Sequence, residues 1–351
     1  MALKHSLFSA GFRAIAATRA DRWLRPVAQG VGVILTFHHV RPWRERDFAP
    51  NRLLEITPEF LDRTLHMLHR RGFELIPLDH VPARLAAGQE AQPFAALTFD
   101  DGYRDNVEHA LPVLRRHGAP WTLFVTTEFA QGRGSLWWLE LEEAIARLDS
   151  VRLPLDGTVI AFPSGSPAEK QAAFDALYGA LRAGPEDRLR AATALLARQA
   201  GIDPGVLCRD LCLSFDEIQV LAREPGVTIG AHTLTHPILA KHDDAVARRE
   251  IVEGRRMLEE RLAMPVRHLA FPLGDRGSAS SREFKLAAEA GFATAVTTRP
   301  GHLFPAHRDR LHALPRISVN GLFQTDAALS ALLSGVPFLA WNRGRVAALE
   351  P

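Results

Sequence analysis

The chain has 351 residues, 47% of them hydrophobic and 23% charged, with a formal net charge of +2. This length holds one large α/β domain or a domain with a substantial insertion, and the near-neutral balance excludes the overall basic field that nucleic acid binding draws on. No run of 18 or more apolar residues occurs, which excludes a spanning helix.

Residues 1–30 read as a helical segment. Arg13, Arg19, Arg22 and Arg25 interrupt its apolar stretch, so it lacks the hydrophobic region of a signal peptide and is expected to be retained. Leu7, Phe8, Phe12, Ile15 and Ala16 make an apolar helix face, expected to pack on the main domain, with weak attachment to an anionic membrane surface as the alternative. From Val31 onward short apolar runs alternate with amphipathic helical segments, the pattern of a parallel sheet or barrel with crossover helices. The predicted strands are VGVILTFHHV, FELIPL, FAALTFD, WTLFVTT, VTIGAHT, HLAFPLG and ATAVTT. Between them lie the helices TPEFLDRTLHMLHRRG, capped by Thr57 and stopped by Gly72, then YRDNVEHALPVLRRHG, SFDEIQVLAREPG and SSREFKLAAEAGF. Over residues 128–213 strand-like runs give way to Ala/Leu/Arg-rich helical stretches. This is a helical insertion, and one that follows the C-terminal end of a barrel strand is placed to form a lid or a wall of a substrate groove. Within it, Cys208 and Cys212 lie four apart on one helix face without further metal or disulfide partners, and read as half-buried small residues. Residues 321–351 form a helical tail.

Three stretches carry chemistry. In TFDDGYRDN, Asp100 and Asp101 follow an apolar run directly. Like charges this close resist joint ionisation unless a cation lies beside them. A metal ion is one answer, and turn or N-cap chemistry for Asp-Asp-Gly is the other. In IGAHTLTHP, His232 and His236 are four apart at another strand end. With a carboxylate from elsewhere they would suit a borderline divalent ion, and alone they are ordinary surface or core histidines. The third stretch is FPLG, Phe271 to Gly274.

Taken in order on strand ends, TFDDGYRDN, HTLTH and FPLG resemble the polysaccharide deacetylases of carbohydrate esterase family four, the nodulation-factor chitooligosaccharide deacetylase homology group. The resemblance covers about residues 31–127 and 214–320 and implies a distorted (β/α) barrel, into which the helical insertion is set. It implies Asp100 as catalytic base and Asp101, His232 and His236 as ligands of a divalent metal, with zinc first and cobalt, nickel, manganese or iron as alternatives. It also implies a backbone N–H near Tyr103 as oxyanion donor.

The leaving amine needs a proton, which many family members draw from a late Leu-x-His motif. Here that region reads RLHALPRISVNG, and His312 matches the motif poorly. TFHHV instead resembles the Tyr-His-x-Val first strand of the exopolysaccharide-deacetylase subset, with Phe37 at the Tyr position. His38 is therefore the expected general acid and His312 the second candidate. A buried imidazole satisfied by a carbonyl is the other account of His38, and His39 is expected to face the opposite way.

The arginine that commonly stands two residues before the proline is replaced by Ala270. Arg316 in LPRI is the expected substitute, as a cation able to grip a carboxylate in bidentate fashion. Pro272 and Leu273 are expected at the pocket wall near the acetyl methyl. Trp137 and Trp138 are candidates for stacking on a sugar face, or for core or lid packing.

The expected activity is metal-dependent hydrolysis of the acetamide of N-acetylhexosamine units in an oligo- or polysaccharide or its lipid-linked precursor. A non-catalytic saccharide-binding module on the same fold is the alternative. A non-haem iron oxygenase also uses two histidines and a carboxylate, but has a different ligand order and no use for the second aspartate. The expected location is the cytoplasm, with peripheral attachment to the inner membrane.

Overall fold

Six of the apolar runs and one further segment form the parallel strands of a barrel in the computed structural model, which describes residues 2–88, 92–155 and 158–342. They are β1 (Gly32–Phe37), β2 (Phe94–Phe99), β3 (Trp121–Val125), β4 (Val227–Ala231), β5 (His268–Ala270), β6 (Thr294–Pro300) and β7 (Leu314–Ser318). Each pairs with its neighbours in chain order, and β1 pairs with both β2 and β7, so the sheet closes into a seven-stranded (β/α) barrel. The residues of β1, β2 and β3 are buried throughout. Strands covered on the outside by helices and filled on the inside by one another read as continuous apolar runs rather than alternating ones.

Two expectations about strands are corrected. FELIPL contributes only Glu74–Leu75, which pairs with the start of β2 outside the ring. Pro77 follows almost at once, and a residue with no N–H cannot continue an internal ladder. Conversely, Leu314–Ser318 is a full stave that the apolar pattern does not announce, because Pro315 obscures it. The proline is tolerated where the ladder between β6 and β7 changes register, from Val296 opposite Leu314 to Pro300 opposite Arg316.

The outer helices begin where their caps predict. Thr57 accepts a hydrogen bond from the Phe60 amide at 3.1 Å and starts Pro58–Arg70, which buries Phe60, Leu61, Leu65 and Leu68. Ser214 and Ser280 form capping boxes with Glu217 and Glu283. Between β3 and β4 lie the helices Trp137–Arg147, Pro167–Ala183, Glu186–Gln199 and Pro204–Leu211. They are accompanied by an antiparallel hairpin, Ser150–Leu155 with Thr158–Pro163, that periodicity does not register. These elements bury an apolar cluster of their own, built on Trp137, Leu141, Phe174, Leu189 and Leu196 and including Tyr103 from the barrel. Cys208 and Cys212 are fully buried free thiols in that cluster, not half-buried ones.

The helix Ala2–Ala17 packs Phe12 edge-on against Phe323 at 5.2 Å, near the helices Asp326–Ser334 and Val336–Trp341. Of the tail, residues 343–351 lie outside the described residues. Among the described residues no helix is long and apolar enough to cross a membrane.

Candidate active site

The two aspartates leave β2 at its C-terminal end, where the loops of a parallel barrel converge. The Asp100 amide continues the ladder to the Phe37 carbonyl at 3.0 Å, which fixes its side chain at the barrel mouth. Its carboxylate is buried and held by Arg316 of β7 through two bonds of 2.7 Å, Nη1 to Oδ1 and Nη2 to Oδ2. Arg316 is held in turn: its Nε donates to the Thr297 carbonyl at 2.8 Å and Nη1 to Thr98 Oγ1 at 3.1 Å. The register change between β6 and β7 leaves the Thr297 carbonyl to the arginine. Burial pushes the Asp100 pKa up, but the guanidinium overrides it and holds the carboxyl below its usual range. The group is a carboxylate at neutral pH.

Asp101 turns away by adopting a left-handed backbone, φ 72°, followed by Gly102 at 69°. Aspartate tolerates that region better than most residues. Its Oδ1 faces His232 Nε2 at 3.4 Å and His236 Nε2 at 3.3 Å, and all three side chains are buried. His232 Nδ1 is 2.7 Å from the Ala270 carbonyl, so Nδ1 carries the proton and Nε2 presents a lone pair to Asp101. Asp101 Oδ1 has no hydrogen-bond partner among the described residues. Electron-rich atoms converging in a buried space repel one another unless a cation lies between them. Their spacing matches the ~3.4 Å edge of a tetrahedron with ligand bonds of about 2.1 Å. These three residues can hold a divalent metal ion. Burial raises the Asp101 pKa, yet the two imidazoles hold it well below the carboxylate range. Burial lowers His232 but the carboxylates more than compensate, so its pKa is raised, whereas at His236 burial prevails and lowers it.

The loop that carries both histidines is pinned from behind. Glu250, on the helix Asp244–Leu262, accepts from the Leu234 amide at 3.1 Å and the Thr235 amide at 2.9 Å, and Gly254 of the same helix lies against Thr233. From the insertion, Arg190 donates to the His236 carbonyl at 2.9 Å. Thr233, His236 and, after β5, Leu273 have positive φ, at 64°, 60° and 59°. Non-glycine residues in this region cost about 1–2 kcal/mol each and persist where surrounding contacts over-determine them. Asp105 and Asn106, the end of TFDDGYRDN, fix the end of β1. Asn106 Nδ2 donates to the His38 carbonyl at 2.7 Å, and Asp105 accepts from the Val40 amide at 3.2 Å and meets His39 Nδ1 at 2.6 Å.

A cavity of about 520 Å³ opens over these groups and brings together His38, Asp100, Asp101, His232 and His236, with Leu273 in its wall. Burial lowers the pKa of His38, while the Asp100 and Asp101 carboxylates oppose that shift. His39 points away and stacks on Tyr103 at 3.6 Å, as the alternation of side chains predicts. Of the remaining candidates, Pro272 and His312 need correction. Pro272 is buried and does not line the cavity, so only Leu273 of that pair reaches it. The Tyr103 side chain is fully buried outside the cavity lining, while its amide donates to no described residue. Trp137 and Trp138 do line the cavity but are almost wholly buried: Trp138 lies 4.9 Å from the His236 ring and Trp137 packs on Tyr178 at 5.4 Å. They wall the site and present no free stacking face. His312 bonds the Phe292 carbonyl at 2.8 Å, at the N-terminal ends of β6 and β7. That is the wrong end of the barrel for a proton donor.

Glu250, Gly254, Arg190, Asp105 and Asn106 do not stand out in the sequence. Only the last two leave a signal there, as part of the motif around the aspartates.

The sequence model of the polysaccharide deacetylase family matches residues 87–171 and 186–295, more than half of the chain. The chain belongs to the polysaccharide deacetylase family. No curated protein sequence matches it. Among solved structures it is similar to the deacetylase PplD of Streptococcus pyogenes, determined in complex with acetate. The two are 17% identical, over 82% of this chain and 92% of that one, with a TM-score of 0.55. It is also similar to IcaB from Ammonifex degensii, 15% identical over 88% of this chain and 97% of that one, TM-score 0.53. A de-N-acetylase from Aggregatibacter actinomycetemcomitans is 12% identical over 86% of this chain and 99% of that one, TM-score 0.53. At these identities the structures bear on the fold alone, and the fold they share with this member of the family is the barrel described above.

Proposed function

We propose that this deacetylase hydrolyses the acetamide of N-acetylhexosamine units in an oligo- or polysaccharide or its lipid-linked precursor, releasing acetate in a metal-dependent reaction. The observation that carries this reading is the division of labour between adjacent aspartates: Asp100 is gripped by Arg316, while Asp101 faces the Nε2 atoms of two imidazoles in the same cavity. A divalent ion held by Asp101, His232 and His236 would supply Lewis acidity toward the acetamide carbonyl and acidify a water beside it. Asp100, ionised and fixed in orientation, takes the proton of the water that attacks the carbonyl carbon. Arg316 uses one direction of each carboxylate oxygen and Thr36 Oγ1 reaches Oδ2 at 3.5 Å, which leaves a lone pair of Oδ1 free to accept. His38 gives a proton to the amide nitrogen as the C–N bond breaks, so that the products are acetate and a free amine. The unbonded Tyr103 amide is the available donor for the developing oxyanion.

The test is acetate release from N-acetylglucosamine oligomers by metal-stripped protein, before and after addition of zinc or cobalt. Release should appear with the ion, vanish in His232→Ala together with metal binding at the barrel mouth, and fall by about 10²–10⁴ in Asp100→Asn and His38→Ala with that binding kept. Glycan binding without acetate release under any divalent ion would instead identify a saccharide-binding module.

A further inference from the structure

Three histidines and an aspartate gather on the outer helical layer, and none of them belongs to the barrel-end cavity. Asp62, His66 and His69 occupy the i, i+4 and i+7 positions of the helix Pro58–Arg70, which places them on one face. His117, the C-terminal cap of the helix Leu111–Arg116, comes in from the neighbouring element. His117 Nε2 lies 3.0 Å from Asp62 Oδ1, and His66 Nε2 lies 3.5 Å from Asp62 Oδ2. The His66 and His117 rings meet at 4.7 Å, and His69 stacks on the other side of His117 at 5.6 Å. We infer that Asp62, His66 and His117 form a second divalent-metal site, selective for borderline ions such as zinc, cobalt or nickel, that clips these two helices together.

An ordinary surface ion pair accounts for Asp62 and its 3.0 Å contact with Arg116, but not for two imidazoles converging on the same carboxylate. Ligand atoms of Asp62, His66 and His117 already lie within 4.8 Å of one another, so small rotations, chiefly of the exposed His66, bring them onto one ion. Two nitrogens and a carboxylate oxygen are a donor set that suits such ions and not calcium or magnesium. Arg116 is the competitor, because its guanidinium occupies Asp62 Oδ1. Its side chain is 60% exposed and can swing out when an ion enters. The clip would join the helices that follow β1 and β2, the strands that deliver His38 and the two aspartates.

The experiment counts metal. After dialysis against zinc or cobalt, the full chain should retain two equivalents and the His232→Ala/His236→Ala variant one. Adding His66→Ala and His117→Ala to that variant should remove the last. His66→Ala/His117→Ala alone should keep one equivalent and full acetate release, but lose the rise in melting temperature that the second equivalent confers. Arg116→Gln should tighten the second site several-fold, an effect that chelation by a lone surface histidine would not show. The proposal is overturned if the His232→Ala/His236→Ala variant binds no ion more tightly than about 100 μM, or if its binding survives loss of His66 and His117. Neither result touches the reaction at the barrel mouth, which is read separately by acetate release.

Discussion

Arg316 shows how one side chain links stability and chemistry. It is fully buried, and so is the carboxylate it grips. A buried pair is weak evidence of net stabilisation, but breaking it from one side leaves the other charge uncompensated, at a cost of about 3–5 kcal/mol. Arg316→Ala should therefore lower the melting temperature markedly and abolish acetate release. Arg316→Lys keeps the charge but gives up the two-pronged geometry. It should recover most of the stability while leaving release reduced on the order of tenfold or more, because Asp100 is no longer held in one orientation. Thermal unfolding and acetate assays on the same samples separate the two effects, and full activity in the lysine variant would show that orientation of the base is unimportant. Arg316 was legible in the sequence because Ala270 left the base without its usual cation and LPRI offered one. His312 was not: it stands two positions ahead of β7, and closeness in chain to Arg316 says nothing about which end of a strand a residue occupies. A five-residue strand spans about 16 Å, enough to put neighbours in sequence at opposite ends of the barrel.

Single elements explain what the motifs could not. The metal-facing histidines lie in a loop with left-handed residues at Thr233 and His236, and the helix Asp244–Leu262 holds that loop in place. In sequence, Glu250 looks like one more charge on a polar helix, and Gly254 looks like a weak point in it. Only the crossing of helix and loop reveals why each is there. A Cβ at position 254 would come within 2.6 Å of the Thr233 carbonyl carbon and 2.8 Å of the Leu234 nitrogen, both backbone atoms. Gly254→Ala should force the loop outward, lowering metal affinity about 10–100-fold, the scale seen when support behind a ligand is lost. Overpacking should also cost about 1–3 kcal/mol of stability. Acetate release should return as the metal concentration is raised, and failure to return would mean that the loop does more than position His232 and His236. At this scale the sequence was most readable where caps and apolar runs coincide, as at Thr57, Ser214 and Ser280. It was least readable at β7, where Pro315 conceals a strand, and in the pair Ser150–Leu155 and Thr158–Pro163, the second of which buries no residue to mark one face.

At the scale of the molecule, the barrel supplies the reactive groups and the elements between β3 and β4 supply much of the wall facing them. Trp137, Trp138, Phe174 and Tyr178 give that wall an apolar character, so the depth of the cavity depends on how the two bodies of structure are held together. Part of the attachment is the ion pair between Arg182, on the helix Pro167–Ala183, and Asp275, in the loop after β5, both of which line the cavity. Burial raises the Asp275 pKa, but Arg182 more than offsets this and keeps the carboxylate ionised. The two side chains are 28% and 44% exposed, which limits the pair to about 0.2–1 kcal/mol of stability after solvent screening. Arg182→Ala should therefore leave the melting temperature nearly unchanged. Its effect should fall on substrate binding, where a wall that is no longer held in place raises KM several-fold while kcat stays within about a factor of two, the pattern of lost uniform binding. Ionic strength provides the control. Salt weakens an exposed pair, so the KM of the unaltered chain should climb toward that of the variant as salt is added, while the variant's own KM responds less. If KM for an N-acetylglucosamine oligomer is the same in both proteins at low salt, the wall is held by its apolar contacts alone and this ion pair is incidental to the site.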